Sequence, residues 1–458
     1  MSKATMKAFA WLTTVAMSIA FAGTTQAGPL KVGAARIDIT SMGYPDGNMP
    51  ERKYGHEWLY VRAIVLDNGE SKAVLIGADL GGIRPDSVYQ ESSAAIAREL
   101  NIPVANIVMS GTHTHSDPRE NRDEAQMYAA IVEAARAASA NMQAARVGFG
   151  EGKVYLNVNR DLYSEETGDW TQAPNPDGPS DKTLAVLAFY DMQGRPIAGY
   201  MNYAMHPVNG YLSGFISGDF AGAASRHIED AFGNGMVMAF TQGASGDQNP
   251  LYLRSSTNVM AAAIGVPITG FDMTREAIET PLREGLVPRG ENDATMHEAL
   301  KRSMDAQGQI LGEEAIRVMT QMDHLAGDVT IAGQATTLTC PGRDRTNSDA
   351  GRAGTQAVYQ DGPDVNLRLG VLAINEIAIA SVNAEIYNLI AQQLKAASPL
   401  SNTMLVTVAN GRANSGYVPT DDAYARRTFQ VLGSRLKPGC AQSGIVNTVT
   451  DMIYDYVD

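Results

Sequence analysis

Short apolar runs alternate with stretches of helical period along most of the chain. Tyr60–Leu66 and Ala73–Gly77 read as strands and Asp86–Leu100 as a helix. Asn106–Met109 is a short buried strand, and the Ala-rich stretch Arg122–Met142 follows it as a helix. Leu184–Tyr190, Ile197–Tyr203 and Met236–Phe240 are again strands, and Asp219 is placed to N-cap a helix over Phe220–Phe232. The last third predicts strands near Asn366–Val371, Ile377–Val382 and Met404–Val408, with helices near Ile386–Ala397 and Asp421–Phe429. Interleaving of this kind predicts an α/β domain, a mixed sheet with flanking helices. Residues 251–292 break the pattern: they are rich in Gly, Pro, Thr and Arg and precede a long helical stretch, Ala294–Met322. A stretch of that length is usually either functional, a lid being one reading, or an element its weak period does not reveal. No linker or repeat divides the remainder, so one large domain over 28–458 is expected.

Composition narrows the class. The 458 residues are 44% hydrophobic and 19% charged, ordinary for a globular protein. The net charge of −14 argues against a nucleic-acid partner, because phosphate binding needs a basic surface. MSKATMK followed by AFAWLTTVAMSIAFAG and Thr25-Gln26-Ala27 has the layout of a signal peptide cleaved after Ala27. The expected mature protein is exported, periplasmic or secreted, with no integral membrane segment. Export permits a disulfide between the two cysteines, Cys340 and Cys440, against the alternative of two buried thiols.

Four stretches share one form, an apolar strand followed by a polar cluster. They are SGTHTHSDP (110–118), NYAMHPVNG around His206, FTQGASGDQNP (240–250) and SVNAEIYN (381–388). Ligand sites of α/β sheets gather at the carboxyl ends of strands, so these four are candidates for one site. His113 and His115 sit two apart. If the strand continued, both would face one side and approach one metal, or one would ligate while the other moved protons. Taken alone, such a pair is more often a hydrogen-bonded loop feature. His206 strengthens the metal reading, and Glu385 would complete a His/His/Glu set of the catalytic-zinc type, although a first-turn glutamate also suits a helix dipole. The loop at Gly243–Asp247 lacks the GKS or GKT of a P-loop, and no GxSxG elbow supports Ser245 as a nucleophile. His56, His227, His297 and His324 have no such company and read as structural or solvent-facing.

Taken together and in order, these motifs resemble the neutral (non-lysosomal) ceramidase family. SGTHTHSDP resembles its THTHSGP signature, and NVNRDLY (157–163) its NINRSP segment. NYAMHP (202–207) is similar to its second histidine motif, and FISGDFAGAASRHIE (215–229) to the stretch after that motif. FTQGASGDQNP resembles a Gly-Asp-x-Ser-Pro loop, while NAEIYN (383–388) and SGYVPTDDAY (415–424) resemble its zinc-glutamate and zinc-tyrosine motifs. The resemblance implies a Zn2+ ion held by His113, His206 and Glu385, with Tyr417 on or beside it. His115 would be the acid/base residue. Arg160 would contact substrate or stabilise developing negative charge, and Asn249 would bind substrate where the family has serine. Three positions depart from the pattern: Asn249 for that serine, Phe429 for a second tyrosine, and Asp117 for the glycine after Ser116. The family's frequent C-terminal immunoglobulin-like domain is not expected here.

The resemblance implies a zinc-dependent hydrolase of an amide (N-acyl) bond acting on a lipid or other small acylated substrate. Two alternatives stand beside it. One is an esterase or lactonase on the same site; the other is an exported binding protein of this fold without catalysis.

Overall fold

The computed structural model describes residues 26–118, 123–211, 216–253, 291–347 and 357–458. The expected leader lies outside these except for Gln26 and Ala27. Of the segment considered as a lid, 254–290 lies outside them as well.

The chain builds four layers, helices on sheet on sheet on helices. The larger sheet has eight strands, in the order Val237–Gln242, Pro196–Tyr203, Thr183–Asp191, Gln143–Lys153, Lys31–Asp38, Tyr60–Asp67, Lys72–Ala78 and Ile107–Gly111. The second has four: Ile331–Arg345, Tyr359–Ile374, Ile377–Val382 and Asn402–Val406. Side chains alternate across a strand, so strand 60–67 is apolar in both directions. Val61, Ala63 and Val65 meet Ile96 of helix Asp86–Leu100 and Met127 and Ile131 of helix Glu124–Ala140. Ile64 and Leu66 face the other way, into a core shared with Leu372, Ile379, Met404 and Val406 of the smaller sheet. That sheet's outer face, Leu369, Val371, Ala380 and Val382, is covered by helices Asn388–Ala397 and Ala441–Val457. Helices Asp219–Ala231 and Glu291–Thr320 close the remaining part of the eight-stranded sheet. Cys340 of strand 331–345 is bonded to Cys440, just before helix 441–457, with Cα atoms 5.8 Å apart.

The mixed α/β architecture agrees with the sequence reading, and helix 86–100 and strand 377–382 have the expected bounds. Other details differ for identifiable reasons. Asp219 is not an N-cap: Gly218 precedes the helix, and Asp219 opens it with φ 54°. Its buried carboxylate accepts from Asn209 Nδ2 (2.8 Å) and Gly210 N (3.0 Å), which ties down the loop after His206. The expected helix Asp421–Phe429 is split into a 3-10 turn, Asp421–Ala425, and a short helix, Phe429–Gly433. Between them Arg426 leaves the helical path and lies over the Trp170 ring, 4.8 Å from its centroid. Strand 143–153 carries no apolar alternation because Gly148 and Gly150 lie under helix 291–320 and the turn after it. A Cβ at Gly148 would come 2.6 Å from Leu325, and one at Gly150 2.8 Å from Val318.

A third, small sheet joins Gln248–Pro250, Asn157–Ser164 and Asp169–Asn175. Residues Glu385–Ile386 pair in parallel with Tyr417–Val418, Glu385 opposite Tyr417. Both additions sit at the same end of the sheets, beyond the carboxyl ends of strands 107–111, 196–203, 237–242 and 377–382. No helix among the described residues is long and apolar enough to cross a membrane.

Candidate metal centre

The four strand-end clusters meet. His113 Nε2 lies 3.2 Å from His206 Nε2 and 3.2 Å from Glu385 Oε2, and the third edge, His206 Nε2 to Glu385 Oε2, is 3.4 Å. Each imidazole is fixed by its other nitrogen. His113 Nδ1 donates to the Gly81 carbonyl (3.0 Å) and His206 Nδ1 to the Ser245 carbonyl (2.7 Å). These bonds leave both Nε2 atoms directed at the carboxylate. Burial, reinforced by the nearby Arg160 cation, lowers His206 to about 4, so its Nε2 is a bare lone pair at neutral pH. Burial pushes the Glu385 carboxyl up, but His113 and His206 outweigh it and hold the group well below the usual range.

These donors fit a divalent metal. Four-coordinate zinc, with bonds of roughly 2.0–2.1 Å, sets its donor atoms about 3.3–3.4 Å apart, the size of the observed triangle. Glu385 Oε2 is buried and has no hydrogen-bond donor among the described residues. A cation at the centre satisfies all three atoms at once. A nitrogen of His115 joins the cluster, with His113, His115 and His206 ligand atoms all within 4.8 Å of one another.

His113 and His115 do not meet by strand alternation. The strand ends at Gly111, and His113 turns into the left-handed region with φ 68°. A non-glycine residue held there needs surrounding contacts to keep it, a condition common at ligand sites. The two rings therefore stand edge to face at 5.0 Å, and His115 packs against Tyr211 (5.4 Å).

Arg160, 3% exposed, forms the wall beside this triangle. It lies where strands 157–164 and 169–175 slip register, a bulge that re-aims the chain. Its guanidinium donates to Gly246 O (2.6 Å) and Asn249 Oδ1 (3.1 Å). An arginine N–H can only donate, which assigns the Asn249 atom as oxygen and turns its amide nitrogen elsewhere. Phe429 and Tyr417 flank the guanidinium, with ring centroids 4.9 and 5.6 Å from Cζ. The Tyr417 hydroxyl lies near enough to Glu385 and Arg160 to feel both charges. Burial first, then the Glu385 charge, pushes its pKa up, while Arg160 opposes the rise. Tyr417 is thus brought to the carboxylate of the triangle and to the arginine.

Several groups receive no role from the sequence reading, although Asp161 and Asp247 lie inside quoted motifs. Asp161 is buried and accepts from the Tyr387 hydroxyl (2.8 Å) and Gln430 Nε2 (2.7 Å), which anchors the segment bearing Phe429. Burial and the Asp161 charge raise Asp247 to about 7; it holds Asn388 N (2.8 Å) and Asn159 Nδ2 (2.9 Å). The carbonyl that orients His113 belongs to Gly81. The run Ala78-Asp79-Leu80-Gly81-Gly82, a strand followed by paired glycines, was the available signal.

Comparison with known proteins agrees with this picture. The family model described as neutral/alkaline non-lysosomal ceramidase, N-terminal, matches residues 28–263. Neutral ceramidase A of Dictyostelium discoideum is 26% identical over 264 residues, covering 48% of this chain and 36% of the relative. Neutral ceramidase B of the same organism is 27% identical over 259 residues, covering 49% and 35%. The match thus spans little more than a third of the curated relatives' length. The crystal structure of neutral ceramidase from Pseudomonas aeruginosa superposes with a TM-score of 0.65 over 93% of this chain and 74% of that one, at 18% identity. A ceramidase complexed with C2 gives 0.65 over 93% and 75%, at 17% identity. At these identities the likeness is one of fold.

Proposed function

The chain belongs to the neutral/alkaline non-lysosomal ceramidase family, and from that premise we propose that it is a zinc-dependent hydrolase of an amide (N-acyl) bond. The observation that carries the reading is the triangle of His113, His206 and Glu385, each edge 3.2–3.4 Å. A zinc ion bound there supplies a water activated at neutral pH and a Lewis acid for the scissile carbonyl.

The chain's own residues do the rest. The Gly81 and Ser245 carbonyls keep the two imidazoles in the ligating tautomer. His115, beside the triangle but outside it, passes a proton to the leaving amine. Arg160 places a fixed positive charge beside the developing oxyanion, and burial strengthens it, since no water screens it. Asn249 spends its oxygen on Arg160 and offers its amide N–H as a donor to substrate. Tyr417, paired with Glu385 along the strand and packed against the Arg160 guanidinium, holds the metal side and the oxyanion side in register.

A ceramide-like lipid is the first substrate to try, and other N-acyl compounds come next. One observation favours a second reading, an esterase or lactonase on the same site. Asn249 and Phe429 stand beside Arg160 where the resembled motifs carry hydroxyl side chains, and an ester leaving group asks less of a proton donor. We also place the protein outside the cytoplasm, periplasmic or secreted, on its N-terminal pattern, which the oxidised cysteine pair suits.

Metal analysis of purified protein, paired with N-acyl and O-acyl substrates of matched chain length, tests both readings. One zinc per chain and chelator-sensitive amide cleavage are expected. Turnover of esters alone transfers the assignment to the second reading, and full activity in metal-free protein refutes both.

A further inference from the structure

We propose that Asp117 is a positioning residue for the metal centre: it holds the Gly81 turn whose carbonyl orients His113. The inference rests on the metal reading of His113, His206 and Glu385. Asp117 is also the residue that replaces glycine at the end of the histidine signature, so the device belongs to this chain's own sequence.

The path is short and each step is a hydrogen bond. Strand 72–78 ends, and the chain turns through Asp79 and Leu80 into Gly81-Gly82. The segment after strand 107–111 folds back along this turn. Thr112 N donates to Ala78 O (2.8 Å), and His113 N donates to Leu80 O (3.0 Å). His113 Nδ1 then reaches the Gly81 carbonyl at 3.0 Å, so backbone and ring of one residue grip two consecutive residues of the turn. The turn is gripped in return: Gly81 N donates to Asp117 Oδ2 at 2.9 Å. Asp117 is 6% exposed.

Space around the turn is closed. A Cβ at Gly81 would lie 3.0 Å from Thr114 O, from Arg84 Nη2 and from Asp117 Oδ2. Gly82 takes φ 147°, which glycine reaches freely, but His113 takes φ 68°, which a residue with a Cβ holds only when contacts keep it there. The loop 113–117 therefore encircles Gly81, and the Asp117 carboxylate fastens the circle.

The metal site feels this through the turn. Without Asp117 the Gly81 N–H is a buried donor lacking its partner, and the turn must shift to find another. A shift of Gly81 carries its carbonyl away from His113 Nδ1 and rotates Nε2 out of the triangle. The carboxylate acts on the turn, accepting from the Gly81 N–H. Its action is geometric, and any acceptor of the same shape should serve.

The test uses the full chain, zinc alone as ligand, and two nearly isosteric variants, Asp117→Asn and Asp117→Leu. Zinc affinity is measured by competition with a chromophoric chelator, and the visible spectrum of the cobalt-substituted protein reports coordination geometry. Partners that orient ligating histidines typically change affinity about 10–100-fold. Asp117 stands one peptide further out, so Asp117→Leu is expected to bind zinc about 10-fold more weakly, with altered cobalt bands. Asp117→Asn keeps the acceptor and is expected within about 3-fold of wild type, with an unchanged spectrum. Should Asp117→Leu fail to fold, Asp117→Ala takes its place in the same comparison. Equal affinity of the acceptor-lacking variant and Asp117→Asn overturns the proposal, whether both stay tight or both weaken. Wild-type protein that binds no zinc removes the metal reading itself, a result distinct from either.

Discussion

Replacing His206 by alanine should abolish the thermal response to zinc while leaving a folded protein. The wild-type response comes from mass action. Zinc at about 1,000 times its dissociation constant adds about 4.1 kcal/mol to folding. The unfolding entropy near 60 °C is about 2.1 cal/mol/K per residue, so the 458-residue chain unfolds with roughly 1 kcal/mol/K. The expected rise in Tm is therefore about 4 °C. In His206→Ala one corner of the triangle is gone, and the zinc-dependent rise should fall to nearly zero. The metal-free variant should itself melt lower. His206 is fully buried and its Nδ1 supplies the donor to Ser245 O at 2.7 Å. Leaving that carbonyl unsatisfied costs about 1–3 kcal/mol, or roughly 1–3 °C on the same scale, before the cavity is counted. Differential scanning fluorimetry with chelator and with excess zinc measures both shifts. His227→Ala, whose ring pairs with Glu313 at the surface, should keep the full zinc response and serves as control. A rise of about 4 °C surviving in His206→Ala would refute the assignment of this residue as a ligand.

Three further outcomes are expected. Arg160→Met keeps bulk but removes the buried cation; kcat should fall by about 10²–10³, with zinc affinity unchanged by chelator competition, if Arg160 stabilises the oxyanion. Cys340→Ser with Cys440→Ser opens a loop closed across 100 residues, and the unfolding free energy measured in urea should drop by about 2–4.7 kcal/mol. His56 is pushed down to about 4 by burial against the pull of Glu57, from an ordinary 6.5. Between those values the unfolded chain takes a proton that the folded chain refuses. Stability is thus retained above about pH 6.5 and lost as pH falls toward about 4, by roughly 3 kcal/mol from this residue. In His56→Asn, whose amide can still meet Ser217 Oγ, the loss of stability between about pH 7 and pH 4 should shrink by that amount; an unchanged acid profile refutes it.

The segments a sequence can announce are those whose local pattern already contains their environment. Helix 86–100 carries its own period, and strand 377–382 is buried on both faces, so its apolar run is unbroken. His113, His206 and Glu385 were candidates because each comes after a strand at the end where ligand sites form, and the ordered resemblance to a known family singled them out as a ligand set. Strands 143–153 and 157–164 were not legible. Glycines admit a helix against the first, and the second carries Arg160 and Asp161 inward, where polar residues look like loop.

Sequence by itself therefore determined the α/β character and named the corners of the proposed metal site. Tertiary structure decided how those corners meet. Strand order joins residues 113, 206 and 385 through pairings between distant segments, and no local pattern records a partner hundreds of residues away. It also decided the geometry at each corner. His113 faces Glu385 because its backbone turns left-handed and Gly81 receives its ring, not because two histidines alternate along a strand. The same holds for Asp117. In the sequence it is a departure from a motif, and in the fold its carboxylate closes the turn that orients His113, the first of the proposed ligands.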